Sequence, residues 1–371
     1  MTVSLPKCLQ PLYEGINTQT YPEKDFPKPP PWLDPLLLTR GQNFAKEHFY
    51  ALAYCDILSL IFLFSFKDSL DPLIFTGNSS CVFSAFNRYV STASRVVSWY
   101  ESDIFDPTSK AGKNLASVRQ MHRHVIDRLK NAQAKEFAER TKIERPMARI
   151  APFLKKDLDQ MKGLDKQAHS VGTLPLNQWH SGITQFAFIG MAVMYPEKLG
   201  IGSHTEADLE ALVHLWAVLG YMIGIEDKYN WCIDGLQKFR ERGLALRRSC
   251  ILPNLRNGDA SWEHMSRCMG RGTGLYMPSV TFESLLLYLM FVLNAPMNNL
   301  WAVISWRHKI LYCISKIMLT IVIYLPGAKE FFNHLTRMGL KVAQNANPDW
   351  LQRAKEKAMI YEENFKRVKH D

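Results

Sequence analysis

From Gly41 onward the chain repeats apolar residues at three- and four-residue spacing, and nowhere does it sustain the two-residue alternation of a half-buried strand. That period constrains the fold most, because residues written with it cannot gather on one face of a sheet. It predicts an all-α protein, a multi-helix bundle with helices over 42–65, 81–100, 111–140, 145–162, 176–194, 206–225, 230–248, 259–271, 280–293, 298–324, 327–345 and 348–367. Breaks are expected where turn residues cluster: Asp71-Pro72 through Gly77-Asn78, Asp106-Pro107, Gly172 to Pro175, Pro196 to Ser203, and Pro253 to Gly258. Thr205 followed by Asp208 reads as a capping-box start for helix 206–225.

Residues 1–40 are of another kind. Pro22, Pro27, Pro29, Pro30 and Pro31 punctuate them, and they carry no apolar run of the sort that opens a secretory signal, so an extended arm is expected. At roughly 100–200 residues per domain, the remainder reads as a helical core over 41–235 and a C-terminal helical extension over 236–371 packed on it.

Hydrophobic residues at 47% and charged residues at 22% allow a packed core and exclude wholesale disorder. The net charge of +10 calls for an anionic partner, whether nucleic acid, lipid or cofactor. Neither the basic cluster Lys238, Arg240, Arg242, Arg247, Arg248 nor the basic end Lys366-Arg367-Val368-Lys369 carries the interleaved aromatics of a single-strand reader, so no nucleic acid partner is expected. The seven cysteines are scattered and never spaced CxxC, which argues against a disulfide framework, a Cys-rich zinc site and covalent haem, and for a reducing, intracellular setting. A spanning helix takes about 20 apolar residues. Tyr50 to Phe66 contains Asp56, and Ile310 to Leu325 contains Lys316 and ends at Pro326; both read as buried core helices, with a membrane span as the open alternative for 310–325. Peripheral membrane contact by the aromatic-rich stretch 280–325 stays open as a use for the positive charge.

Helix 111–140 is the most informative. Its apolar stripe runs Leu115, Val118, position 122, Val125, Leu129 and Ala132, and position 122 is a histidine. Three roles are open to an imidazole there: a hydrogen-bonded core residue, an iron or other metal ligand, or an acid–base group. Arg119 lies one turn earlier on the same side, placed for an anionic group such as a haem propionate or, alternatively, for solvent. On helix 81–100, Arg88 and Thr92 stack at i and i+4, where they suit the orientation of a bound oxygen. The bland alternatives are a Thr92 hydroxyl bonded back to the Arg88 carbonyl and an Arg88 paired with a surface carboxylate. Helix 206–225 carries His214 and Trp216, then Gly220 and Gly224, a flat strip for a neighbouring helix or a planar cofactor. No GxSxG, P-loop, HExxH or strand-borne GxGxxG is present.

Three stretches together carry a resemblance. Val118-Arg119-Gln120-Met121-His122 is similar to a VRxxH signature. Phe186 through Tyr195-Pro196-Glu197-Lys198-Leu199-Gly200 looks like an apolar helix ending in a P-E-x-L-G-type turn. His214 to Gly224 follows H-x-W-x-x-x-G-x-x-x-G. In this order they resemble the rubber oxygenase (latex clearing protein) family, together with the fungal endoplasmic-reticulum-bound oxygenases of mycophenolic acid synthesis, over roughly residues 45–235. The resemblance implies an all-α fold with a globin-like core holding non-covalent haem b, with His122 as the iron ligand, Arg119 beside the haem, and Arg88 and Thr92 in the distal pocket. The 31 residues from Arg88 to Arg119 are similar to the family spacing. Ser91 stands where the rubber enzymes carry an iron-capping lysine, Ile126 where they often carry an arginine, and their proposed glutamate base has no counterpart beyond a distant Asp71.

The expectation that results is a haem-dependent oxygenase using dioxygen on an apolar, isoprenoid or lipid-like substrate, inside the cell and at the endoplasmic reticulum membrane. The alternative is a haem-less helical scaffold that binds hydrophobic ligands, a membrane or a partner protein.

Overall fold

The helical period is realised throughout residues 5–170, 172 and 174–367, which the computed structural model describes. In chain order the helices are α1 (Gln10–Tyr13), α2 (Pro35–Glu47), α3 (Phe49–Leu63), α4 (Lys67–Thr76), α5 (Val82–Glu101), α6 (Lys110–Asn131), α7 (Ala134–Arg140), α8 (Ala151–Leu158) and α9 (Gln178–Met194). They continue as α10 (Glu206–Ile223), α11 (Gly235–Leu246), α12 (Leu252–Arg256), α13 (Ala260–Thr273), α14 (Phe282–Val292), α15 (Asn298–Val303), α16 (Trp306–Thr320), α17 (Ala328–Gln344) and α18 (Pro348–Arg367). A single isolated bridge, Gln19 to Asn177, is the only β pairing among the described residues, so the protein is all-α. Val368 and Lys369 of the basic end, and Thr173 of the turn expected at 172–175, lie outside the described residues.

Local chemistry sets the helix ends. Asp34 accepts from the Leu36 and Leu37 amides to start α2 at Pro35, Ser109 accepts from Gly112 to start α6, and Thr205 and Asp208 form the expected capping box of α10. Gly224, at φ 103°, ends α10 in the left-handed conformation that favours glycine.

Several boundaries differ from expectation, each for a packing reason. The run expected at 42–65 is two helices that meet at His48, and the first begins inside the proline-rich segment. That segment, expected to be extended, also carries α1, and Leu5, Leu9 and Leu12 are buried. Pro72 sits inside α4 without breaking it, because its burial outweighs the one ladder bond its ring forgoes. Pro253 is likewise absorbed, since a π turn at Arg247–Ile251 carries α11 into α12. The helix expected at 145–162 shortens to α8, whose start is fixed by the buried Glu263 carboxylate accepting from the amides of Arg149, Ile150 and Ala151 at 2.7–2.9 Å.

Buried apolar residues from Leu5 to Ala358 form one contiguous core. In it α9 packs on α3, α5 on α6 and α13, and α10 on α2. Gly41 lets the last pair close up, since a Cβ there would stand 2.3 Å from the Ala211 carbonyl oxygen. The stretch Tyr50 to Phe66 is core, as expected. Ile310 to Leu325 is not: α16 buries Tyr312 and Leu319 but leaves Trp306, Ile310, Ile314 and Ile317 exposed, and Ile321, Tyr324 and Leu325 follow them into solvent. No single helix is long and apolar enough to cross a membrane among the described residues; α3 with α4 passes by composition, but the pair is bent by 105° and its apolar residues are buried.

Candidate active site around His122

Because α5 and α6 follow one another and pack side by side, Arg88 near the start of one comes beside His122 near the end of the other. The His122 side chain is only partly covered and keeps some accessible surface, although α5 and α6 crowd its ring. Neither ring nitrogen has a hydrogen-bond partner among the described residues. Burial first, and then the Arg88 charge, pull its pKa down to about 4, which makes it a neutral imidazole at ordinary pH.

His180 on α9 is the second ring in the same place. Its pKa is also lowered to about 4, by burial and then by His122, and its Nε2 lies 2.6 Å from the Ser69 hydroxyl of α4. Four helices thus bring Arg88, His122, His180 and Ser69 together. The sequence reading missed His180 and Ser69. The signal for His180 was the same as for His122, a lone histidine among core residues, here between Trp179 and Ile183; the flanking aromatic residue and short polar residues masked it.

The other expected site residues are placed as follows. The Thr92 hydroxyl donates to the Arg88 carbonyl at 3.1 Å, the back-bonded arrangement. Arg88 donates to the Ser79 hydroxyl at 3.4 Å and has no carboxylate partner among the described residues. Arg119 is buried, and its guanidinium donates to three main-chain carbonyls: Met222 at 2.7 Å, Glu23 at 2.9 Å and Asp25 at 3.0 Å. It therefore ties the end of α10 to the proline-rich segment. Ser91 accepts from Arg95 at 2.6 Å, Ile126 is fully buried, and Asp71 is held by Lys67 at 2.9 Å.

The remaining motif residues serve the framework. His214 Nε2 accepts from the Asp34 amide and stands edge-on to Trp32. Gly220 makes room for Gln185, which bonds to the Trp216 carbonyl, the Asn230 side chain and the Trp231 amide. In the turn after α9, Lys198 donates to the Phe291 carbonyl and the Asn294 side chain, capping the end of α14.

Among the described residues no group of three or more His, Cys, Asp or Glu side chains could hold a free metal ion. An iron already held by a porphyrin asks the protein for one or two donors, and a neutral, unbonded imidazole is such a donor. His122 has the chemistry of one such donor, and Arg88 is the cation beside it. A surface cleft of 400 Å³ bounded by Arg40, His48 and Asp208 is a separate feature, and Arg40 there is already bonded to Asp208 and Thr205.

No family model matches the chain, and no curated protein matches it in sequence. Among solved structures the chain is similar to latex clearing protein LCP in its closed state, with a TM-score of 0.55 over 89% of this chain and 83% of that one at 13% identity. At that identity the likeness shows the fold: the chain shares the helical architecture of latex clearing protein.

Proposed function

We propose that this protein is a haem b-dependent oxygenase whose iron is held by His122 and whose substrate is an apolar alkene of the isoprenoid or lipid class. The observation that carries the reading is His122 itself, a neutral imidazole with no protein partner at either nitrogen among the described residues, beside the Arg88 guanidinium. When bound, haem b would supply dioxygen activation for attack on a carbon–carbon double bond.

The chain's own residues do the rest. Burial and the Arg88 charge keep a proton off His122, so a lone pair stays available at neutral pH. No protein acceptor fixes its tautomer among the described residues. Arg88, lightly engaged by Ser79, presents donors to a substrate or ligand oxygen, and the Thr92 hydroxyl braces the turn that carries it. Leu115, Val118 and Leu129 flank His122 on α6 and keep bulk water from that side. The fold shared with latex clearing protein supports an oxygenase of this kind.

The haem-less scaffold is the second reading. It draws on the saturation of Arg119 by main-chain carbonyls and on the back-bonded Thr92, both of which are framework roles. Dioxygen uptake with an isoprenoid oligomer, measured together with carbonyl-containing product, separates the two. The oxygenase reading expects coupled uptake and product, reduced about tenfold or more in Arg88→Met. Protein that retains no haem and takes up no dioxygen with the isoprenoid oligomer would leave the scaffold.

A further inference from the structure

We propose that the outward faces of α16 and α17 form a docking surface for an anionic lipid bilayer, lying in its interfacial layer rather than crossing it. On α16 the exposed residues Trp306, Ile310, Ile314 and Ile317 recur at helical spacing, and Ile321 continues the series; Trp306 is 74% and Ile321 63% exposed. On α17, Phe331, Leu335, Met338 and Val342 do the same at i, i+4, i+7 and i+11. The opposite sides of the two helices already serve the core, where α16 buries Tyr312 and Leu319 and α17 buries Leu340 and Ala343. Each helix is therefore apolar on two sides, and folding accounts for only one of them. The connection between them, Val322–Tyr324, adds exposed Tyr324 and Leu325. Exposed apolar stripes of this kind, on two helices joined through an equally apolar turn, mark a contact site.

Charge selects the occupant. Between residues 298 and 345 the sequence has six Lys or Arg and one carboxylate, Glu330. Lys329 and Arg337 pair with Glu47 and Glu101 of the core, which leaves Arg307, Lys309, Lys316 and Lys341 without an ion-pair partner among the described residues. Isoleucine stripes, Trp and Tyr beside them and unpaired cations together are what an anionic headgroup layer over acyl chains accommodates. Helices of 15 and 17 residues, short of the length of a span, lie along such a layer. The proposal is independent of haem, since none of these residues belongs to the His122 site.

The test is co-sedimentation of the full chain, with and without haem, on vesicles of phosphatidylcholine alone and of phosphatidylcholine with phosphatidylserine. Binding to the anionic vesicles is expected, weakening about tenfold or more on neutral vesicles or at high salt. The variant with Trp306, Ile310, Ile317 and Ile321 all changed to Ser should lose it. Brominated lipid should quench part of the tryptophan emission, and Trp306→Phe should remove that part while keeping the binding. No association with anionic vesicles would overturn the proposal. So would a free protein that dimerises and is made monomeric by the four substitutions, because the face would then belong to a second copy of the chain.

Discussion

Two half-covered imidazoles meet in this structure: among the described residues His122 has no protein partner at either ring nitrogen, and His180 beside it bonds only to the Ser69 hydroxyl. Both pKa values fall from 6.5 to about 4, so the unfolded chain takes up protons below 6.5 that the folded protein declines until about 4. Stability is thus full above pH 6.5 and falls between 6.5 and 4, by up to about 2 kcal/mol per ring at about pH 5. Urea midpoints of the haem-free protein at neutral pH and at about pH 5 should show the loss, and His180→Gln, which can keep the bond to Ser69, should remove roughly half of it. Arg119→Ala is expected to cost about 1–3 kcal/mol and to expose residues 18–34 to limited proteolysis, because it removes donors to the buried Met222 carbonyl and to the partly covered carbonyls of Glu23 and Asp25. If Arg119 also met a propionate, the same variant would weaken haem retention as well as protease resistance. His122 was legible in the sequence because it interrupts an apolar stripe at its own register. The bonds of Arg119 were not, since they depend on a segment nearly a hundred residues away.

At the scale of the helix, the period set the class and most spans, while long-range caps and packing set the ends. The start of α10 was readable because Thr205 and Asp208 are three residues apart. The start of α8 was not, because its cap is Glu263, more than a hundred residues on. Prolines misled twice, at Pro72 and Pro253, where burial and a π turn outweigh the local preference. The α2–α10 contact offers a direct test. Gly41→Ala puts a methyl 2.3 Å from the Ala211 carbonyl, main chain that cannot step aside, and should lower stability by about 3 kcal/mol in denaturant unfolding. An unchanged midpoint would mean that the two helices are farther apart than described.

Over the whole molecule one core reaches from the first leucines to α18, and a buried ionic group fastens its later helices. Arg267, 2% exposed, binds Glu263 on its own helix and Glu283 on α14, while Glu263 also caps α8. Glu263→Ala leaves a buried guanidinium half-paired and three amides uncapped, and should destabilise by about 3–5 kcal/mol with loss of a single cooperative transition. The resemblance in three sequence stretches and the shared fold with latex clearing protein agree on architecture. Two of those stretches turn out to be mainly framework, since His214, Trp216, Gly220 and Lys198 hold helices and turns together. The chemical reading therefore rests on His122. The visible absorption spectrum of protein expressed with haem precursor, wild type beside His122→Ala, tests it most directly. A Soret band that is lost or shifted in the variant is the expected result; a well-folded wild type with no Soret band, or a band unmoved by the substitution, would contradict the assignment.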